Sequence, residues 1–160
     1  SAEYLELLTA DIAVAEKIKA EYIGYATVDN YYFNSKKYKP VGYVISKACA
    51  IKFAGLRYDP QLEAMEDFGY CASQLVKNNC VLINSWIKPV AGHYESGGIG
   101  TYDQRVPRKI TDCAYLMHKY PELFRYKIKK DCHPKAELQF RFYSPKQIVA
   151  WKRKNGITND

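Results

Sequence analysis

The chain has 160 residues, of which 48% are hydrophobic, and it carries a formal net charge of +7 at pH 7. This length fits one domain, and the hydrophobic content excludes an intrinsically disordered segment. No apolar run approaches the roughly 18 residues of a membrane span, and no charged head followed by an apolar stretch marks a signal peptide. The basic charge favours polyanionic partners such as nucleic acid or nucleotides, although solvated lysine faces also produce it.

The cysteines argue against a zinc ribbon. There are five of them, an odd number, and no two have the Cys-x-x-Cys spacing. Cys71 and Cys113 fall on apolar faces of predicted helices, where a free thiol behaves as a small hydrophobic group. We therefore expect reduced thiols and a cytoplasmic location.

The first sixty residues combine an amphipathic helix with short β-type segments. A helix is predicted over 3–19, because apolar residues recur at three- and four-residue steps: Leu5, Leu8, Ile12, Ala15 and Ile18. Residues 22–28 are rich in β-forming types and stop at the turn signal Asp29-Asn30. Three further elements are expected before residue 60: a loop over 31–39, a strand over 40–46 and a helical turn over 47–54.

Two helices and a buried strand are predicted in the middle of the chain. Residues 66–77 share an apolar helical face made by Phe68, Cys71, Ala72 and Leu75, and Asn78 or Asn79 is expected to supply a left-handed cap. The apolar run 80–87 is typical of a strand buried on both faces. After a glycine-rich segment, a helix over 107–120 is expected to begin at Pro107 and to use one apolar stripe: Ile110, Cys113, Ala114 and Met117.

The last third of the chain changes to a period of two. Phe124, Tyr126 and Ile128 alternate with basic residues, and Leu138, Phe140 and Phe142 alternate with polar or aromatic ones, which predicts a hairpin of two half-buried strands. Ser144-Pro145 is a helix start and Gly156 a helix stop. The whole order of elements predicts a single α/β domain over residues 1–160, with a mixed sheet flanked by helices.

The pair Glu66-Asp67 is the first candidate for chemistry. Acidic residues in a first helical turn are favoured by the exposed amides and the helix dipole, so a helix start explains them. A functional interpretation is that one carboxylate faces a pocket as a general base that removes a proton from an attacking hydroxyl. Because adjacent helical residues point about 100° apart, only one of the two is expected to do so.

The segment after the predicted buried strand is a second candidate. His93 is either a surface histidine or a metal ligand or phosphate contact, and neighbouring glycines let backbone approach a ligand. Gly97 and Gly98 begin a Gly-Gly-Ile-Gly run that matches neither a P-loop nor a dinucleotide motif. The run is either a flexible connection or, with Arg105 close behind it at a helix start, a place to receive an anion.

Two stretches interleave aromatic and basic residues, as surfaces that bind single-stranded nucleic acid do. They are Tyr31 to Lys39 and Lys127 to Arg141. An ordinary solvated loop and the polar faces of two strands explain them equally well.

The order of these features resembles the second half of GT-A-type glycosyltransferases: Tyr58-Asp59-Pro60, then Met65-Glu66-Asp67-Phe68, a helix, a strand and a Gly-His loop. In that family an acidic pair at a helix start supplies the catalytic carboxylate, and in many members a later histidine completes the metal site. Gly97-Gly98, Tyr102, Arg105 and the run Tyr120 to Phe124 are similar to the TET-associated glycosyltransferases of phages and some microbes, thought to put sugars on modified DNA bases. The resemblance spans roughly residues 5–130.

This resemblance implies a role for each matching residue. Asp67 would be the catalytic base, and Glu66 its orienting neighbour or an acceptor contact. His93 would contact a divalent metal (Mn²⁺ or Mg²⁺) or the diphosphate of a nucleotide sugar. Four residues would line the sugar-nucleotide or acceptor site: Gly97, Gly98, Tyr102 and Arg105.

The resemblance covers only the C-terminal half of that fold. Its N-terminal half carries an Asp-x-Asp metal motif, and this chain contains no Asp-x-Asp. We therefore expect either a fragment or a domain that has lost donor binding. The alternative from another functional class is a non-catalytic basic module that binds nucleic acid.

Overall fold

A computed structural model describes residues 2–26, 35–46, 48–52, 55–89, 102–128 and 136–158. Within these residues the chain forms a mixed α/β fold, as the sequence predicts. Its elements, in chain order, are α1 (Ala2–Ile18), β1 (Tyr22–Tyr25), β2 (Tyr38–Lys39), β3 (Cys49–Ile51), α2 (Glu66–Asn78), β4 (Leu82–Asn84), α3 (Tyr102–Lys119), β5 (Phe124–Ile128), β6 (Ala136–Phe140) and α4 (Pro145–Lys154).

The main sheet has four strands in the order β2-β4-β1-β3. Its two central strands are parallel, with Ile23 opposite Leu82, whereas each outer strand is antiparallel to its neighbour. β5 and β6 form a separate antiparallel pair in which Phe124 faces Phe140. The prediction of a mixed sheet and of a terminal hairpin is therefore confirmed.

Helices cover both faces of the main sheet. Tyr22 of β1 belongs to the larger core, together with side chains of α2, α3 and α4. Its neighbour Ile23 belongs to a smaller core that includes Ala15 of α1. This alternation follows from the period of two in a strand. All three residues of β4 are buried, so the predicted strand with two covered faces is confirmed.

Three local stop and start signals are used as predicted. Asn79 ends α2 in the left-handed region, with φ 61°, and its N–H bonds the carbonyl of Leu75. Ser144 caps α4 and forms a capping box with Gln147. Gly156 follows α4 with φ 64°.

The predictions between residues 31 and 54 were wrong in the part that the structure describes. A short strand, β2, lies where a loop was expected, and β3 lies where a helical turn was expected. The segment 40–46 is irregular instead of a strand. Its Val44 is fully buried, but the Val44 N–H bonds Sγ of Cys71 at 3.3 Å and not a neighbouring strand. The apolar residues of this segment therefore indicate its burial correctly, but they do not indicate that it pairs with another strand.

The apolar stripes of two helices are only partly buried. α3 begins at Tyr102, so Pro107 lies inside it, and Ile110, Ala114 and Met117 are exposed instead of buried. The buried side of α3 carries Asp112, Cys113 and Leu116. In α1, Leu5 and Ile12 are likewise exposed. The spacing of apolar residues identified these helices, but contacts elsewhere in the chain selected the buried face.

The structure bears on the expected absence of a membrane span and on the expected free thiols. No helix among the described residues is long and apolar enough to cross a membrane. The thiols of Cys49, Cys71, Cys80 and Cys113 are free, while Cys132 lies outside the described residues.

Candidate functional site

The structure describes some of the predicted site residues and not others. Glu66 and Asp67 are the first two residues of α2, so the predicted helix start is confirmed. His93, Gly97 and Gly98 lie outside the described residues. Tyr102 and Arg105 belong to the first turns of α3, and their side chains are outside the described part. The catalytic and binding roles of all seven remain predictions.

Backbone amides and the helix dipole make the start of α2 favourable for negative charge. The N-cap residue is Met65, whose side chain accepts no hydrogen bond from these amides. Asp67 Oδ1 accepts the N–H of Phe68 at 2.9 Å. Both acidic side chains are half-buried.

Asp67 is held by a tyrosine from a distant segment. The hydroxyl of Tyr43 donates a hydrogen bond to Asp67 Oδ2. The Tyr43 ring stacks on Phe68, with 4.1 Å between ring centroids and 19° between planes. Phe68 in turn stacks on Phe140 of β6 at 6.0 Å. An aromatic wall therefore fixes the position of the donor and limits access of water to this side of the carboxylate.

The pKa of Asp67 is raised to about 6, chiefly by burial and in smaller part by the adjacent Glu66 carboxylate. The hydrogen bonds from Tyr43 and from backbone amides act in the opposite direction and lower this pKa. Burial also raises the pKa of Tyr43, and the charge of Asp67 adds to that shift. Tyr43 therefore stays protonated and is the donor, while Asp67 has a pKa suited to accepting a proton near neutral pH.

A buried aspartate from α3 holds the chain that leads into α2. Oδ2 of Asp112 accepts three backbone N–H groups, from Glu63 at 3.1 Å, Ala64 at 2.7 Å and Met65 at 3.0 Å. Asp112 is only 2% exposed. Sequence reasoning missed this residue, because its partners lie 47 to 49 positions earlier in the chain. The signal that could have identified Asp112 is its position four residues before Leu116, which places an acidic side chain on the same face of the helix as an apolar one.

A buried thiol lies near the carboxylate, and a separate cluster of hydroxyl groups surrounds Ser46. Cys71 is fully buried one turn further along α2. Burial is the main cause of the raised pKa of its thiol, and the charge of Asp67 raises it as well. The hydroxyls of Tyr22 and Tyr58 both approach Oγ of Ser46, at 3.5 and 3.3 Å. Sequence reasoning missed Ser46 in particular, because residues 40–46 were predicted to be a strand.

The predicted metal site is not visible in the described residues. No group of three or more His, Cys, Asp or Glu side chains among them is placed to hold a metal ion. The proposed ligand, His93, lies outside them. The divalent metal therefore remains a prediction.

A groove of about 660 Å³ lies at the opposite end of α2 from the carboxylate pair. Asn78 and Asn79 line it, whereas Glu66 and Asp67 do not. Because α2 has 13 residues, its two ends are about 18 Å apart. The groove is therefore separate from the candidate carboxylate site.

Two exposed surfaces combine cations with aromatic rings. Lys37 Nζ lies 5.1 Å from the ring centroid of Tyr38 and 5.6 Å from that of Trp86, which is 65% exposed. On the terminal hairpin, Arg125 donates to the hydroxyl of the exposed Tyr143 at 3.3 Å. Both surfaces fall in or beside the two aromatic and basic stretches of the sequence.

Comparisons of the chain with family models, with curated proteins and with solved structures find no match.

Proposed function

We propose that this chain is a glycosyltransferase-like domain in which Asp67 is the general base. The acceptor is a hydroxyl group, and one candidate is the hydroxyl of a modified nucleic-acid base. In the proposed reaction the acceptor oxygen forms a bond to the anomeric carbon of a nucleotide sugar. The bond from that carbon to the diphosphate oxygen breaks, and the nucleoside diphosphate leaves with the electron pair. The acceptor proton passes to the carboxylate of Asp67.

The environment of Asp67 is the observation that carries this proposal. A carboxyl group with an ordinary pKa of 3.8 is a weak base at neutral pH, whereas burial raises the pKa of Asp67 to about 6. At pH 7 to 8 such a group is still mostly ionised and is a stronger base. The hydroxyl of Tyr43 and the N–H of Phe68 each bond one oxygen of this carboxylate and so fix its orientation.

The neighbouring residues receive supporting roles from the resemblance. Glu66 would orient Asp67 or contact the acceptor, and it also contributes to the raised pKa of Asp67. Gly97, Gly98, Tyr102 and Arg105 would line the donor or acceptor site. A divalent metal, Mn²⁺ or Mg²⁺, would offset the charge of the leaving diphosphate when bound, with His93 as the proposed contact.

A transfer assay with paired variants tests this function. The protein is incubated with UDP-glucose, UDP-N-acetylglucosamine or GDP-mannose, with Mn²⁺, and with duplex DNA containing 5-hydroxymethylpyrimidines. We expect Asp67→Asn to lower transfer by about 10²- to 10⁴-fold, the usual contribution of a general base. Glu63→Gln is the matched control, because Glu63 is an exposed carboxylate just before α2. Retained transfer in folded Asp67→Asn excludes Asp67 as the base.

A second candidate function is non-catalytic binding of single-stranded nucleic acid. The exposed Trp86 ring beside Lys37 favours it, because bases stack on such rings while cations contact phosphates. Fluorescence anisotropy with a labelled oligothymidylate should show binding that weakens steeply with salt. Trp86→Ala should weaken it, whereas Trp86→Phe, which keeps a stacking ring, should not. No binding at low salt rejects this function.

A further inference from the structure

The outward side of α1 carries an apolar and acidic surface. Leu5 is 63% exposed and Ile12 is 41% exposed. They are seven residues apart, and Glu16 follows four residues later, so all three lie on one side of the helix. Glu16 is exposed and makes no ion pair with a described residue. We call Leu5, Ile12 and Glu16 the α1 stripe.

The groove at the C-terminal end of α2 has the complementary character. Ile18 and Pro40 contribute apolar surface, and α4 contributes Lys146, Val149 and Arg153. We call this the α4 groove. None of the described residues that line it is acidic. Val149 is 41% exposed between the two cations, which are seven residues, or about 10 Å, apart on one face of α4.

The two cations of the α4 groove have no carboxylate partner among the described residues. Neither Lys146 nor Arg153 makes an ion pair within the part of the chain that the structure describes. Lys146 and Arg153 are both exposed. An occupant with an apolar ridge and an adjacent carboxylate would cover Val149 and pair with one of these cations, which is the usual arrangement of a helix that docks in a groove.

We propose that the α1 stripe of one copy of this chain docks in the α4 groove of a second copy. Ile12 would cover Val149, and Glu16 lies one helical turn from Ile12, a spacing that matches the distance from Val149 to either cation. Ile18, at the end of α1, is itself part of the groove wall. Each copy carries both surfaces, so a twofold arrangement would form the contact twice in a closed dimer.

This association is independent of the proposed transfer reaction. The α4 groove lies at the end of α2 opposite to Asp67, and neither docking surface includes Glu66 or Asp67. Loss of transfer in Asp67→Asn should therefore leave self-association unchanged.

Sedimentation velocity across a wide range of protein concentration tests the proposal. The wild-type chain should form a dimer, and Ile12→Lys and Val149→Glu should each weaken dimerisation at least about tenfold, or about 1.4 kcal/mol. Ile110→Lys is the matched control, because Ile110 is similarly exposed, at 47%, but lies on α3. A wild-type chain that stays monomeric overturns the proposal. So does an association that only one of the two variants weakens, or that Ile110→Lys weakens equally.

A charge exchange tests the same contact without changing an apolar residue. Glu16→Lys alone should weaken the dimer, and so should Lys146→Glu combined with Arg153→Glu. All three changes together should restore it, because the charges are then complementary again. Since these side chains are exposed, the variants should keep the circular dichroism spectrum of the wild type. Failure of the triple variant to recover association contradicts the assigned pairing of α1 with α4.

Discussion

The hydroxyl of Tyr43 donates a hydrogen bond to Oδ2 of Asp67, and this contact joins the irregular segment after β2 to the first turn of α2. It places a neutral donor against a carboxylate whose pKa burial has raised to about 6. The pair is therefore sensitive to pH in a range where most exposed carboxylates have finished titrating.

The stability of the chain should report the titration of Asp67. Its pKa is higher in the folded chain, about 6, than its ordinary value of 3.8. The protonated form therefore stabilises the fold fully below pH 4, and this contribution is lost as the pH rises through 6. Urea unfolding should show the free energy of unfolding of the wild type falling relative to Asp67→Asn between pH 4 and 7. Parallel curves for the two proteins would contradict the raised pKa.

The neighbouring Glu66 should shift this titration. Its carboxylate raises the pKa of Asp67, so Glu66→Gln should move the Asp67 pKa toward its ordinary value. Carbon-detected NMR of the Asp67 carboxyl group measures this directly. Glu122→Gln is a suitable control, because Glu122 is an exposed carboxylate paired with Lys154. An unchanged Asp67 titration in Glu66→Gln would show that the charge of Glu66 does not contribute to this pKa.

Tyr43→Phe should destabilise the chain more at pH 8 than at pH 5. The hydroxyl bonds an ionised carboxylate at the higher pH, and hydrogen bonds to charged groups contribute about 1.5–3 kcal/mol compared with about 1 kcal/mol for neutral ones. The same change should raise the pKa of Asp67, because the lost hydrogen bond lowered it. Tyr143→Phe, at a tyrosine that is 65% exposed, should have little effect in the same urea titrations. Equal losses at both pH values would argue against an ionised partner.

Asp112→Ala should be among the more destabilising substitutions on α3. It leaves three backbone N–H groups before α2 without their acceptor, and one of them, that of Met65, is in a buried contact. We expect a loss of roughly 2–4 kcal/mol in the free energy of unfolding, since each buried unpaired donor costs about 1–3 kcal/mol. Asp112→Asn should cost less because it keeps one oxygen acceptor. Thr111→Ala, one position earlier on an exposed residue, is the control. A loss as small as that of the control would remove Asp112 from this role.

Gly24→Ala should destabilise the sheet through a specific collision. A Cβ atom at Gly24 would lie 2.1 Å from Cγ1 of Val44, which cannot be accommodated without a shift. Overpacking of this kind costs typically about 1–3 kcal/mol. Adding Val44→Ala removes Cγ1 and Cγ2, the two closest of the colliding atoms, so the double variant should be more stable than the sum of the two single changes predicts. Additive losses would show that the close approach of Val44 to β1 is wrong.

Short-range signals in the sequence were enough for the elements that depend on neighbouring residues. Glu66-Asp67 and Ser144-Pro145 open helices, Asn79 closes one, and the alternation after Phe124 forms a hairpin. In each case the stabilising group lies within a few positions, or the period of the side chains matches the geometry of the element.

Only the tertiary structure decided which groups surround Asp67 and which apolar residues are covered. β3 forms because Ile51 pairs with Tyr22, a partner 29 positions earlier in the chain. No local sequence pattern predicts this pairing. Tyr43 and Asp112 meet the start of α2 across 24 and 47 residues. The same limit explains Leu5 and Ile12, because helical spacing defines an apolar stripe, while the packing of the rest of the chain determines whether that stripe is buried.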